Sequence, residues 1–180
     1  MDVDNYRRLK ESLLAIGYAE ELQWAAELAT VVLTPNLFAA EAAWVILNSG
    51  MKAQVAAGIW ERISPLLHDN QPIAGAFGHK GKAAAIQHIW DHRAQLLREY
   101  LAADDPLAFL QSLPWIGPIT RYHLAKNLGL PFAKPDRHLV RLAGSAENVQ
   151  PFCQALADAS GDAVQVVDTV LWRAANLGLI

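Results

Sequence analysis

The sequence predicts an all-α fold, and three observations support this. Helix-forming residues (Ala, Leu, Gln and Glu) dominate the chain. No stretch alternates strictly between apolar and polar residues, as a half-buried strand would. Hydrophobic residues make up 53% of the 180 residues, enough for a sizeable core in one domain or one body of two lobes.

Glycine, proline and polar breaks divide the chain into ten predicted helices, with an irregular stretch at 66–81. No internal repeat and no low-complexity linker separates them. The predicted helices cover residues 4–16, 20–32, 36–48, 52–65, 82–101, 106–113, 118–128, 137–143, 147–159 and 163–177.

The stretch Leu113-Pro114-Trp115-Ile116-Gly117-Pro118-Ile119-Thr120 predicts two short helices joined by a tight turn. Pro114 ends the first helix, and Gly117 followed by Pro118 is typical of a cap and a first helical residue. The amides of Ile119, Thr120 and Arg121 are then expected to be unpaired. Free amides at the positive end of a helix dipole form an anion site that suits a phosphodiester.

The charge around this turn favours the same interpretation. Residues 115–141 contain five cationic side chains and one acid, Asp136, in a chain whose net charge is −3. A local basic patch on an acidic protein suits a phosphate backbone, although an ordinary hairpin with a solvated basic face explains the charges as well. The cations are Arg121, Lys126, Lys134, Arg137 and Arg141.

Asp136 follows Pro135 and begins the predicted helix 137–143. Aspartate is among the best N-cap residues, so a structural cap is one interpretation. The other is a functional carboxylate held ionised by a helix N-terminus and cationic neighbours. Residue order alone leaves both open.

Together, the hairpin at 113–120 and the segment Lys134-Pro135-Asp136-Arg137-His138-Leu139-Val140-Arg141 resemble the signature of the helix-hairpin-helix DNA glycosylase superfamily. Its pattern is a Leu-Pro-Gly-x-Gly hairpin followed, after a helix, by a loop with the catalytic aspartate. The resemblance is densest over 107–143 and extends more loosely back to about residue 35 and forward to Trp172. Asp136 lies 19 positions beyond Gly117.

The resemblance implies a two-lobed helical fold with an interlobe cleft. Residues 35–130 would form the central lobe, with the helix-hairpin-helix at about 106–128. Residues 1–34 and 131–180 would form the second lobe, which carries the Asp136 loop. Asp136 would be catalytic, and Gly117, Ile119, Thr120, Arg121, Lys134 and Met51 would contact DNA, Met51 as an apolar wedge filling the gap left by a flipped base.

Three departures from the family pattern restrict the kind of glycosylase that the chain can resemble. Trp115 replaces the first hairpin glycine, so the turn is expected to lack that residue's freedom in φ. Ile119 stands where the lyases of the superfamily carry a Schiff-base lysine. The single Cys153 cannot form a cysteine cluster, so no iron–sulfur cofactor is expected.

Other motifs suggest limited chemistry. His88 and His92 are spaced as half of a metal site, but no third ligand is evident, so no metal is expected. Cys153 lies at helical spacing with apolar residues and is expected in the core. The segment His79-Lys80-Gly81-Lys82 resembles the family's basic helix start and is a second candidate backbone contact, although a solvated helix start explains it as well. The tryptophans on apolar helices are expected mostly in the core, and among them Trp24 and Trp44 are candidates for stacking on a damaged base.

The resemblance therefore predicts a monofunctional glycosylase that flips a damaged base of double-stranded DNA and hydrolyses its N-glycosidic bond. The missing lysine and cluster favour an alkylated purine. The alternatives are a glycosylase for oxidised or mismatched bases, a non-catalytic hairpin DNA-binding protein, and a helical interaction protein. The N-terminus is no signal peptide, and the apolar runs are short. We expect a monomer without membrane association, in the cytoplasm or, in a prokaryote, with the nucleoid.

Overall fold

The computed structural model describes all residues 1–180 and contains eleven α-helices, one 3₁₀ turn at Leu28–Thr30 and no strand. The all-α prediction is therefore confirmed. No helix is both long and apolar enough to cross a membrane. The helices are α1 (Val3–Ala15), α2 (Ala19–Glu27), α3 (Pro35–Asn48), α4 (Ala53–His68), α5 (Lys80–Asp91), α6 (Arg93–Ala102), α7 (Pro106–Ser112), α8 (Thr120–Asn127), α9 (Arg137–Ala143), α10 (Ala146–Ser160) and α11 (Val164–Asn176).

The chain divides into two compact units. One combines Met1–Val31 with Ala125–Ile180, and the other is Val32–Leu124. The boundary between Leu124 and Ala125 falls inside α8, so this helix contributes to both units. The lobe limits expected from the family resemblance, at 34/35 and 130/131, stay a prediction.

Helix α11 is the centre of the first unit, where it packs against α1, α2, α9 and α10. Most side chains of α11 are apolar and buried. The core around this helix also includes the free thiol of Cys153. Burial raises the pKa of this thiol well above its usual value. Cys153 is thus a core residue, as its spacing predicts.

Helix α3 is the centre of the second unit and packs against α4, α5 and α6. Thr34 caps it by accepting a hydrogen bond from the Leu37 amide, and Pro35 occupies the first turn, where its missing N–H costs nothing. The buried side chains here include Phe38, Ile46 and Trp90.

Three helices differ from the predicted limits by more than two residues. The helix expected at 20–32 ends at Glu27 and is followed by the 3₁₀ turn Leu28–Thr30. The expected helix 82–101 is broken at His92. The Trp90 carbonyl, which the amide of Ala94 would use in a continuous helix, accepts a hydrogen bond from the Arg93 guanidinium at 2.7 Å, whereas His88 O still accepts the His92 amide at 3.1 Å. Helix α4 instead continues past Pro65 to His68. Glu61, whose carbonyl loses the proline's N–H, is exposed, so water can replace that bond.

Candidate functional site

The hairpin turn between α7 and α8 contains a residue other than glycine in the left-handed backbone conformation. Trp115 has φ of +65°, so the expectation that this turn cannot use that conformation is wrong. A non-glycine residue there costs about 1–2 kcal/mol. The indole ring compensates by packing over Gly81, where an added Cβ would lie only 2.8 Å from Trp115 Cζ2, and by meeting the His79 ring edge-on at 5.1 Å.

The amides of the turn are only partly unpaired. Helix α8 begins at Thr120, and the Arg121 amide donates to Gly117 O at 3.0 Å, so the prediction of a free Arg121 amide is wrong. The Thr120 hydroxyl accepts a hydrogen bond from the Gly117 amide at 2.7 Å. The amides of Ile119 and Thr120 form no hydrogen bond within the protein, so these two remain as candidate phosphate donors.

Gly117→Glu is expected to weaken binding to damaged and undamaged duplexes alike, by on the order of tenfold, because a carboxylate beside a phosphate is repelled. A Cβ at Gly117 would approach only Thr120 Oγ1, at 3.9 Å, so the change should not disturb the fold. Fluorescence anisotropy with labelled duplexes measures the effect, and Gly117→Gln is the neutral control. Unchanged affinity in the glutamate variant would contradict a phosphate site here.

Arg121, at the start of α8, lies with its guanidinium over the Tyr122 ring, 4.9 Å from the centroid, and donates to the Tyr122 hydroxyl at 3.2 Å. Its Nε is buried without a hydrogen-bond partner. These contacts fix the direction of the side chain and use one Nη2 hydrogen, so the donors left for a phosphate are the other Nη hydrogens and not the buried Nε.

Arg121→Gln is therefore expected to reduce the slope of log affinity against log salt by about one, the contribution of one phosphate contact. Duplex binding titrated at several salt concentrations measures the slope. Arg7→Gln, which alters a guanidinium outside the 115–141 basic patch that donates to the backbone carbonyl of Ala159, is the matched control. An identical slope in Arg121→Gln and wild type would remove Arg121 from the interface.

Asp136 is half-buried at the N-terminus of α9. Its Oδ1 accepts hydrogen bonds from the amides of His138 at 2.9 Å and Leu139 at 3.1 Å, so the residue is an N-cap. Its Oδ2 accepts no hydrogen bond from the protein. One oxygen thus fixes the orientation of the carboxylate while the other can accept a bond from water or substrate.

The two lysines nearest to Asp136 in sequence are largely internal. The Lys126 amine is buried and donates to Asp168 Oδ2 at 2.5 Å. Lys134 is half-buried, and burial lowers the pKa of its amine from the usual value, against the opposing effects of Asp136 and Asp168. The DNA-binding role of Lys134 stays a prediction.

Asp168 is the residue that sequence reasoning passed over. It is a buried carboxylate on α11, and besides Lys126 it accepts the Lys134 amide on Oδ1 at 2.8 Å. The signal was available, because Asp168 is the only acid in the run Val164–Leu171 of an apolar helix. A charge at a buried helical position needs a partner.

Met51 lies half-buried in the turn between α3 and α4, where Gly50 has φ of +69°. The buried Lys82 amine holds this turn by donating to the carbonyls of Leu47 at 3.1 Å and Ser49 at 2.6 Å. Lys82 therefore serves the protein interior instead of a DNA backbone, contrary to the sequence interpretation. The wedge role of Met51 stays a prediction.

No protein-family model matches the chain, and no curated protein matches its sequence. The structure is similar to that of Tm1821, the 8-oxoguanine DNA glycosylase of Thermotoga maritima. The two share a TM-score of 0.65 over 94% of this chain and 93% of that one, with 16% sequence identity. At this identity the similarity shows the fold, so the chain has the helical DNA glycosylase fold that the hairpin and the Asp136 loop predict.

Proposed function

We propose that this protein is a DNA glycosylase that hydrolyses the N-glycosidic bond of a damaged base, with Asp136 as the catalytic carboxylate. The observation that carries the proposal is the different bonding of the two Asp136 carboxylate oxygens. Oδ1 accepts hydrogen bonds from two amides, while Oδ2 has no partner in the protein. A cap needs only the first oxygen. The fold similarity supports the same class of activity.

The chemistry follows from the charge that develops during cleavage. As the bond to the base breaks, positive charge builds on the sugar, as in glycoside hydrolysis. A carboxylate close to that sugar stabilises the oxocarbenium-like transition state. The same group can orient the attacking water or accept its proton. The hairpin amides of Ile119 and Thr120 would bind the backbone and contribute affinity but no chemistry.

We further propose that the enzyme is monofunctional. A lyase forms a Schiff base through an amine, and Ile119 offers none at the matched position. The Lys126 amine is engaged with Asp168, which leaves Lys134 as the nearest other candidate. The expected products are intact abasic strands that break only after alkali or heat, and borohydride should trap no adduct. An adduct that disappears in Lys134→Met would assign lyase chemistry to Lys134.

The substrate class within this proposal is a damaged purine. The missing lysine and cysteine cluster favour an alkylated purine, but nothing in the fold comparison supports this preference, since the similar structure is named for an oxidised guanine. Trp24, a residue that is 41% exposed, and the half-buried Trp44 can each offer a ring to a base. An 8-oxoguanine duplex is therefore tested first, with 3-methyladenine and 7-methylguanine duplexes beside it.

A panel of duplexes, each with one defined lesion, tests the proposal when abasic sites are measured after incubation with the protein. Release from at least one lesion, absent with Asp136→Asn, is the expected result. The N-cap observed at Asp136 favours one second candidate, a non-catalytic hairpin protein. Salt-dependent duplex binding without release of any base would establish that candidate and overturn the glycosylase.

A further inference from the structure

We propose that Asp168 is a positioning residue that fixes the loop presenting Asp136, a role that rests on the proposed function. The loop comprises residues 128–136 between α8 and α9 and has no regular secondary structure. A catalytic group on an irregular loop acts well only if the backbone before it is held in one place.

Three polar side chains from α10 and α11 hold this loop by its backbone. Gln165 donates to the carbonyls of Gly129 at 3.0 Å and Leu130 at 3.2 Å. Gln150 accepts from the Ala133 amide at 2.9 Å and donates to the Pro131 carbonyl at 2.9 Å. Asp168 accepts the Lys134 amide at 2.8 Å, two residues before Asp136. The anchors thus follow the loop in order, and Asp168 is the last of them.

Asp168 differs from the two glutamines because it also binds outside the loop. Its Oδ2 takes the amine of Lys126, which belongs to the last turn of α8. An asparagine could accept the Lys134 amide, but it could not hold a buried ammonium as an ion pair. The buried carboxylate therefore joins two segments at once, the end of α8 and the residues that lead into Asp136.

The position of Asp168 separates anchoring from contact with substrate. Its residue is 2% exposed, and both of its oxygens have protein partners. It can act on the reaction only by placing the loop residues from Lys134 to Asp136. Loss of the Lys134 bond should therefore slow the chemical step of the enzyme that is already bound to DNA.

Two double variants test this while avoiding an unpaired buried charge. Both carry Lys126→Met. One adds Asp168→Asn, which keeps an acceptor for the Lys134 amide, and the other adds Asp168→Leu, which has nearly the same shape but no acceptor. Each double variant loses the ion pair between positions 126 and 168. Each also leaves one buried donor without a partner, the asparagine amide in one and the Lys134 amide in the other, so their melting temperatures should be similar.

We expect single-turnover base release with excess enzyme to be about tenfold to hundredfold slower in the double variant with Asp168→Leu (the Leu pair) than in the one with Asp168→Asn (the Asn pair). The enzyme is kept at a saturating concentration, so that any change in affinity caused by a displaced Lys134 side chain does not enter this rate. Amide hydrogen exchange at Lys134 should be faster in the Leu pair. Equal release rates and equal exchange in the two pairs would overturn the positioning role.

The exchange measurement also keeps this inference apart from the proposed function. A wild-type protein that releases no base would overturn the glycosylase, and the anchoring would then be judged by Lys134 exchange alone. Active enzyme with faster exchange in the Leu pair but an unchanged release rate would show that Asp168 holds the loop without serving catalysis, which also overturns the proposal.

Discussion

Asp136→Asn is expected to lower the single-turnover rate of base release by about a thousandfold or more. The substitution removes the negative charge that would stabilise the developing oxocarbenium, and an amide cannot accept a proton from water at neutral pH. The rate is measured with excess protein on the best lesion of the duplex panel, so that affinity does not enter.

The structure supplies the reason that folding should not confuse this result. Oδ1 of Asp136 accepts both capping bonds, and asparagine has a carbonyl oxygen that can do the same, since it is an N-cap as good as aspartate. The matched control is Asp136→Ala, which removes the cap as well and should lose about 1 kcal/mol of unfolding free energy. Full activity in the folded asparagine variant would reduce Asp136 to a helix cap.

Lys126→Met alone is expected to lower the free energy of unfolding by about 3–5 kcal/mol, because it leaves the Asp168 carboxylate buried without its cation. For a chain of this size that corresponds to a melting temperature lower by roughly 6–20 °C. Thermal unfolding followed by circular dichroism measures it. The added change Asp168→Leu should restore part of the loss, since the uncompensated charge is then gone.

Lys10→Met is the control for this prediction. Lys10 also pairs with a carboxylate, Asp162, at 2.6 Å, but its side chain is 31% exposed and Asp162 keeps a bond from the Tyr6 hydroxyl. Its removal should cost about 1 kcal/mol or less. Equal losses in Lys10→Met and Lys126→Met would show that the buried pair has no special weight.

The sequence predicts the helices and the local parts of the candidate site because these depend on near neighbours. Apolar spacing and caps place α7, α8 and α9, and Asp136 is recognisable from its position before a helix. The partners of buried charges are different. Asp168 and Lys134 are 34 residues apart, and Lys82 reaches carbonyls more than 30 residues away, so no local pattern joins them.

The errors near the hairpin have the same physical origin. Propensity argues against a left-handed tryptophan, yet Trp115 adopts that conformation because its ring packs on Gly81, which is distant in sequence. The helix ends before His92 where the Arg93 guanidinium binds the Trp90 carbonyl, which a continuous helix would need for the amide of Ala94. Tertiary and side-chain contacts, which a helical pattern does not encode, decided both.

The packing of Trp115 on Gly81 makes the residues that positions 81 and 115 can accept depend on each other. Any side chain at 81 must displace the indole while tryptophan occupies 115, since a Cβ would lie 2.8 Å from the ring. If 115 first becomes glycine, the left-handed turn is kept without strain and position 81 is released to accept alanine. Among homologues we therefore expect the two positions to covary, with tryptophan at 115 found only where glycine stands at 81.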